Sequence, residues 1–292
     1  MVKEINAQSS LWTAGESFLL EADFVTQLHK SETGHFTWRW SSNSQWEQET
    51  TLADFHQITV KKGDETYTAR NLKFTPLPVR EILEVLNAPR LQSNKWDIGR
   101  AKIKQHDAED CLELRSSAKG DVKREICIAS DSKRVVSDET SGDAEVRLRQ
   151  FSDYQPFLGS SIPRMLKLTI DGVPVLTVVV TLLEKQSYPA AGFVAPANAI
   201  VRRTCANMVH PKAIKMPSPE YPTGERVNAT SIVVLTVLPD GSVSDVYLVG
   251  SSYQGMDKVT QQIVKTWKFK PAMCDGEPVT ADIYVQVNFR SR

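Results

Sequence analysis

Pro219-Glu220-Tyr221-Pro222 introduces the stretch that decides the fold of this chain's last third. An apolar run follows from Ile232 to Leu238, then Pro239-Asp240-Gly241, a second run from Val243 to Val249, and Ser251-Ser252. Gly241 supplies the positive φ that a tight turn needs, so the two β-branched runs read as a hairpin. Val233, Leu235 and Val237 share one face of its first strand at period two. From about Gly255, Met256, Val259, Ile263 and Trp267 recur at helical spacing as one apolar stripe. Pro271, after Trp267-Lys268-Phe269-Lys270, prevents the helix from continuing. A last strand runs from Asp282 to Phe289. The order strand, strand, helix, strand predicts a three-stranded antiparallel sheet with the helix covering one face.

With these elements in this order, residues 198–292 resemble the C-terminal domain of the TonB family. Those are periplasmic energy-transducing proteins that touch outer-membrane transporters. Asp257, near the helix start, fits the family and is favoured there by the helix macrodipole. The resemblance implies a periplasmic, cell-envelope location and a binding role, with no reaction and no cofactor. It implies that an extended peptide from an outer-membrane transporter or another envelope protein adds as a strand to Ile283, Tyr284, Val285, Gln286, Val287, Asn288 and Phe289. Backbone groups would carry the affinity, and Tyr284, Gln286 and Asn288, alternating on one side, would set register. The family also places the Tyr-Pro segment near the peptide, here Pro219, Tyr221 and Pro222; the alternative for Tyr221 is a packed lid over the core. An open edge also suits a second copy of the chain, so a homodimer is a further candidate. The membrane helix and long Pro-rich spacer of TonB proteins proper do not occur in this sequence, so energy transduction is not expected of it alone. An envelope location requires export, and Met1 to Ser10 lacks the plan of a signal peptide. A leader or membrane anchor absent from this chain is therefore expected.

The 292 residues suit two domains of ordinary size. Lys and Arg total 35 and Asp and Glu total 35, interspersed without a basic stripe, so nucleic acid is not an expected partner. The longest apolar run, Val173 to Leu183, is too short to cross a membrane as a helix and contains Pro174.

Four cysteines suit an oxidising compartment. A three-residue loop at Ala118-Lys119-Gly120 would pair Ser117 with Asp121. Counting outward from that pair sets Cys111 opposite Cys127, which predicts a cross-strand disulfide. Cys205, read in a helix leading into the last domain, and Cys274, read in the loop before its last strand, are left to each other. The alternative is four free thiols in a reducing compartment. No close Cys or His pair has ligand spacing, so no metal is expected.

Residues 1–187 read mainly as antiparallel strands, with a linker at 188–197 and the last domain at 198–292. The overall fold class is α+β. Phe36, Trp38 and Trp40 alternate with polar residues, and further strands follow at Trp46–Leu52, Phe55–Val60 and Thr66–Arg70. One helix opens at Pro76-Leu77-Pro78, presents Ile82, Leu83, Val85 and Leu86, and ends at Ala88-Pro89. Seven more strands run from Ala101 to Leu182, the last two joined at Asp171-Gly172. Such a succession suggests one long meander that must curl, because twist accumulates. A curled sheet with a helix across it resembles, in outline, the periplasmic lipoprotein carriers of the LolA type. The pattern Gly34-His35-Phe36-Thr37-Trp38-Arg39-Trp40 followed by Trp46 supports this. The competing reading is a plain sheet domain that acts as a spacer. Phe36, Trp38, Trp40 and Trp46 would either line a cavity for a lipid or other apolar ligand or pack the sheet interior.

No catalytic motif emerges. His29, His35, His56, His106 and His210 are scattered, and neither a phosphate loop nor a nucleophile elbow occurs. Asp107, Glu109, Asp110 and Glu113 surround Cys111 without the spacing of a calcium loop. Two functions remain: an interaction module that adds a peptide strand, or an apolar-ligand carrier with a docking domain.

Overall fold

The computed structural model describes residues 1–8, 15–27, 31–72, 75–117, 122–142, 145–203, 205, 207–222, 224 and 227–290. These form two compact units, residues 1–58 with 75–194, and residues 59–74 with 195–292. The loop expected at Ala118-Lys119-Gly120, its partner Asp121, and His29 lie outside the described residues.

The chain begins with helix α1 (Val2–Ala7) and then β1 (Phe18–Thr26), β2 (Glu32–Ser42), β3 (Gln45–Leu52), β4 (Phe55–Lys62) and β5 (Glu65–Arg70). Helix α2 (Leu77–Leu86) follows. Then come β6 (Lys102–Gln105), β7 (Glu109–Arg115), β8 (Lys123–Ala129), β9 (Val135–Ser141), β10 (Val146–Phe157), β11 (Ser160–Ile170) and β12 (Val173–Lys185). In the first unit the strand order is β4-β3-β2-β1-β12-β11-β10-β9-β8-β7-β6, and the sheet does not close into a barrel. It is two meanders, not one: β12 returns to pair with β1, from Phe18 opposite Lys185 to Thr26 opposite Leu176. The sequence does not announce β1, because Glu21 and Asp23 interrupt a short apolar run beside a polar segment. Its central place still buries Phe18, Leu20, Ala22 and Phe24 completely or nearly so.

One face of this sheet is continuous. Trp40, Trp38 and Phe36 of β2 stand opposite Phe18, Leu20 and Ala22 of β1, and Leu176, Val178 and Val180 of β12 extend the layer. Gly34 permits a close approach: a Cβ there would sit 2.2 Å from the Phe24 ring and 2.4 Å from the Thr51 carbonyl oxygen. Helix α2 packs on β11 and β12 and buries Val79, Ile82, Val85 and Leu86. Asp171 and Gly172 both take positive φ, as a two-residue hairpin of the primed type requires. Within the segment read as a linker, Phe193 is 1% exposed and the Tyr188 ring lies 5.5 Å from it, while Val194 is 69% exposed.

In the second unit β13 (Ile200–Arg203) pairs with β5, and Arg70 at the end of β5 forms an ion pair 2.5 Å long with Asp245. Then follow β14 (Met208–Val209), β15 (Lys212–Lys215), β16 (Ala229–Val237), β17 (Val243–Ser251), α3 (Asp257–Val264), β18 (Lys268–Lys270), β19 (Ala272–Cys274), β20 (Glu277–Val279) and β21 (Ala281–Phe289). The main sheet has the order β17-β16-β21, and α3 covers it from the side of Val233, Leu235 and Val237. The helix is shorter than its apolar stripe suggested. A 3₁₀ turn holds Gln254–Met256, α3 stops at Val264, and Trp267 lies beyond it. Its buried residues are Thr260 and Val264, following Met256, while Val259 and Ile263 are only partly buried. Thr260 tolerates burial because its hydroxyl donates to the Met256 carbonyl at 2.8 Å. Gly241 takes φ +76°, and a Cβ there would lie 2.0 Å from the Phe269 carbonyl oxygen.

Both disulfides form, Cys111–Cys127 and Cys205–Cys274. The first joins residues directly opposite across β7 and β8. The elements around the second differ from the sequence reading. Among the described residues of 200–215 there are short strands and no helix at Cys205, and Cys274 ends β19. The backbone there pairs Met208 with Cys274, so the segment is extended where alternation was too brief to signal a strand.

Candidate functional site

Strand β21 is an edge of its three-stranded sheet: β16 occupies one side, and no strand occupies the other among the described residues. The pairing runs without a break from Ala229 opposite Phe289 to Val237 opposite Ala281. Ile283, Val285, Val287 and Phe289 face the core, while Tyr284, Gln286 and Asn288 are exposed, Tyr284 by 75%. In an antiparallel strand every second residue turns its N–H and C=O away from its one partner, so this side offers a row of backbone donors and acceptors. At its end, a cavity of about 440 Å³ is lined by Asn228, Ala229, Thr230, Ser252, Asn288, Phe289 and Arg290.

Tyr221 is half-buried against this core, and its hydroxyl donates to the Val227 carbonyl at 3.1 Å. Pro219 and Pro222 are half-buried beside it in sequence. The Trp267 indole N–H donates to the Pro217 carbonyl at 3.1 Å, which fixes the start of this segment. Tyr221 thus touches the inner side of the edge strand, at Phe289, and covers the core as a lid.

Of the four aromatic residues read as a ligand site, Trp38, Trp40 and Trp46 line a cavity of about 230 Å³ with Asn43, Gln48, Leu83 and Asn87. Phe36 does not line it. The indoles of Trp38 and Trp40 pack on Phe18, edge-on and stacked, each with centroids 5.4 Å away. Interior packing therefore takes most of their surface, and both are under 5% exposed.

Sequence reading missed a charged network on the continuation of the same face. Arg124 of β8 donates to both Asp138 carboxylate oxygens, at 2.7 and 2.9 Å, and to the Arg90 carbonyl at 3.1 Å. Arg149 of β10 donates to the same carboxylate and to the carbonyls of Glu84 and Asn87, at 2.6 and 3.2 Å. Those carbonyls end α2, so a cation caps the helix at its negative pole. Arg147 pairs with Glu81 and, at 3.2 Å, with Glu84. Burial pushes the Asp138 carboxyl up, but the two guanidinium groups outweigh it and hold the group below the ordinary range. Burial dominates at Glu81 and raises it despite Arg147. The surrounding cavity, about 390 Å³, also includes Gln92, Lys95, Trp96 and Thr140. The available signal was parity: Arg124 shares a face with Ile126 and Ile128, and Arg147 and Arg149 with Phe151.

Two of the acidic residues around Cys111 are engaged by cations: Glu113 with Lys104 at 2.6 Å and Asp110 with Lys133 at 3.1 Å. Glu109 lies near the Cys111 and Cys127 sulfur atoms, and Asp275 near those of Cys205 and Cys274. In both clusters the sulfurs are bonded to each other, which leaves no thiolate ligand. Among the described residues no helix is long and apolar enough to cross a membrane.

No curated protein matches the chain. Among solved structures, the LolA superfamily protein NE2245 from Nitrosomonas europaea is 11% identical, with a TM-score of 0.42 over 66% of this chain and 95% of that one. A DUF1329 family protein from Desulfovibrio piger is 10% identical, with a TM-score of 0.40 over 63% and 89%. MucB is 10% identical, with a TM-score of 0.33 over 89% and 94%. Residues 217–291 match the family model of the Gram-negative bacterial TonB protein C-terminal, and they contain β16, β17, α3 and β21 with the short strands β18, β19 and β20 between α3 and β21.

Proposed function

We propose that this chain is an envelope binding protein that captures an extended peptide segment of a partner by strand addition to β21. The observation that carries the proposal is the open outer edge of β21, continuous from Ala281 to Phe289 and flanked by exposed Tyr284, Gln286 and Asn288. The match of residues 217–291 to the TonB C-terminal family supports it. The partner is an outer-membrane transporter or another protein of the envelope, and the chain acts in the periplasm. Main-chain hydrogen bonds supply affinity, and contacts with alternate side chains supply register. A lipid-carrier role for the first unit has weaker support. Its tryptophan cavity of about 230 Å³ falls below the usual few hundred Å³ of such sites.

Backbone recognition has a direct test. A bound peptide N-methylated at alternate residues, on the face that meets β21, loses affinity at least tenfold, while methylation in the opposite phase has little effect. Equal tolerance of both phases would rule out strand addition.

A further inference from the structure

Strands β15 and β18 carry a charge pattern that folding alone opposes. Their register sets Lys212 opposite Lys270 and Lys215 opposite Lys268. Like charges directly opposite across a ribbon repel. All four lysines are exposed, whereas Phe269, between two of them, is 4% exposed and anchors β18 in the core. The alternation therefore holds four ammonium groups on the solvent side. None of them forms an ion pair among the described residues. The Asp240 carboxylate, which feels the charge of Lys268, is already held by the Ser242 N–H at 2.8 Å and hydroxyl at 2.5 Å.

The same segment exposes large aliphatic side chains. Val209 is 61% exposed, Ile214 64% and Met216 50%. Water disfavours this combination of crowded cations and bare aliphatic surface. An anionic lipid interface answers both parts, because phosphates relieve the repulsion and the acyl boundary takes the aliphatic groups. An acidic peptide would answer only the first. In a chain of zero formal net charge the patch is a local feature, not a general basic character.

We propose that the β15–β18 ribbon, with Val209, Ile214 and Met216, docks this chain on an anionic lipid surface. The lysines meet headgroup phosphates, and the three aliphatic side chains enter the boundary below them. The ribbon belongs to a different sheet from β21.

The test is co-sedimentation of the full chain with vesicles of mixed phosphatidylglycerol and phosphatidylcholine, against phosphatidylcholine alone. Binding is expected to the anionic vesicles only and to weaken as salt rises. Each of Lys212→Gln, Lys215→Gln, Lys268→Gln and Lys270→Gln should reduce partitioning about fivefold, the factor for roughly 1 kcal/mol per basic residue at such a surface. Ile214→Ser with Met216→Ser should reduce it further, with circular dichroism unchanged. Three results would overturn the proposal. They are no binding to anionic vesicles, full binding by the folded four-lysine variant, and preference for a polyglutamate peptide over vesicles that is unaffected by the serine changes.

Discussion

The Tyr221 ring meets the Phe289 ring edge-on, with centroids 5.7 Å apart and planes at 75°. This contact ties the Pro-Glu-Tyr-Pro segment to the last residue of the edge strand. It joins two stretches that the sequence marks separately into one structural element. Tyr221 therefore supports the edge strand from its core side.

Tyr221→Phe keeps the ring contact and loses only the hydrogen bond to Val227, so it should cost about 1 kcal/mol. Tyr221→Ala loses the ring as well and should cost about 2–3 kcal/mol. Urea unfolding of the full chain measures both. Equal, negligible losses would show that the segment does not lean on the core.

Tyr284 separates stability from binding. It is 75% exposed, so Tyr284→Ala should change stability by less than about 0.5 kcal/mol. The same change should weaken peptide binding severalfold by removing a register contact, as calorimetry would show. An unchanged affinity would limit recognition to the backbone.

Gly241→Ala combines two penalties. The residue takes φ +76°, and the new Cβ would meet the Phe269 carbonyl oxygen at 2.0 Å. The Phe269 N–H also donates to the Gly241 carbonyl at 2.9 Å, so β18 cannot retreat without losing that bond. A loss of about 2–3 kcal/mol is expected in urea unfolding. A stable variant would mean the turn relaxes freely.

Legibility in the sequence followed the range of the interaction. The hairpin at Gly241, the order of β16, β17, α3 and β21 and the Cys111–Cys127 pair depend on local spacing, and the residues show it; the short strands β18, β19 and β20 between α3 and β21 were not read. Strand β1 was missed, because its pairing with β12 joins distant segments and its own pattern is broken by Glu21 and Asp23. The short strands from Ile200 to Lys215 were missed because they span too few residues to show alternation. Arg124, Asp138 and Arg149 lie on three different strands, and only the sheet brings them together at the end of α2. Of the candidate site, the edge strand was legible as a period of two, but the contact between Tyr221 and Phe289 was not.

Asp138→Asn should cost about 3–5 kcal/mol near neutral pH, since it leaves two buried guanidinium groups short of a counter-charge. The folded carboxyl is depressed below its ordinary value of 3.8. Its contribution is therefore complete above about pH 4 and is lost as pH falls through the lower, folded value. Glu81 works in the opposite sense. Burial raises it above 4.5, so its protonation on acidification favours the folded state. Stability measured against pH should thus fall less steeply below pH 4 in Asp138→Asn than in the parent. Parallel profiles would mean that folding does not shift the Asp138 carboxyl from its unfolded value.

Removal of the first disulfide by Cys111→Ser with Cys127→Ser should cost about 3 kcal/mol, the chain-entropy value for a loop of this size, with a sequence separation of 16. Thermal or urea unfolding without reductant reads the difference. Identical stability would show that the bridge does not constrain the unfolded chain.

Capture of a peptide strand by β21 is the central claim, and amide mapping tests it most directly. The isotope-labelled full chain is titrated with extended peptides from the N-termini of outer-membrane transporters and from other envelope proteins. The account predicts saturable shifts concentrated on Ile283 to Phe289, with smaller ones around Tyr221. A folded chain that shows no shifts there at millimolar peptide, or whose shifts gather around Trp38, Trp40 and Trp46 instead, would contradict it.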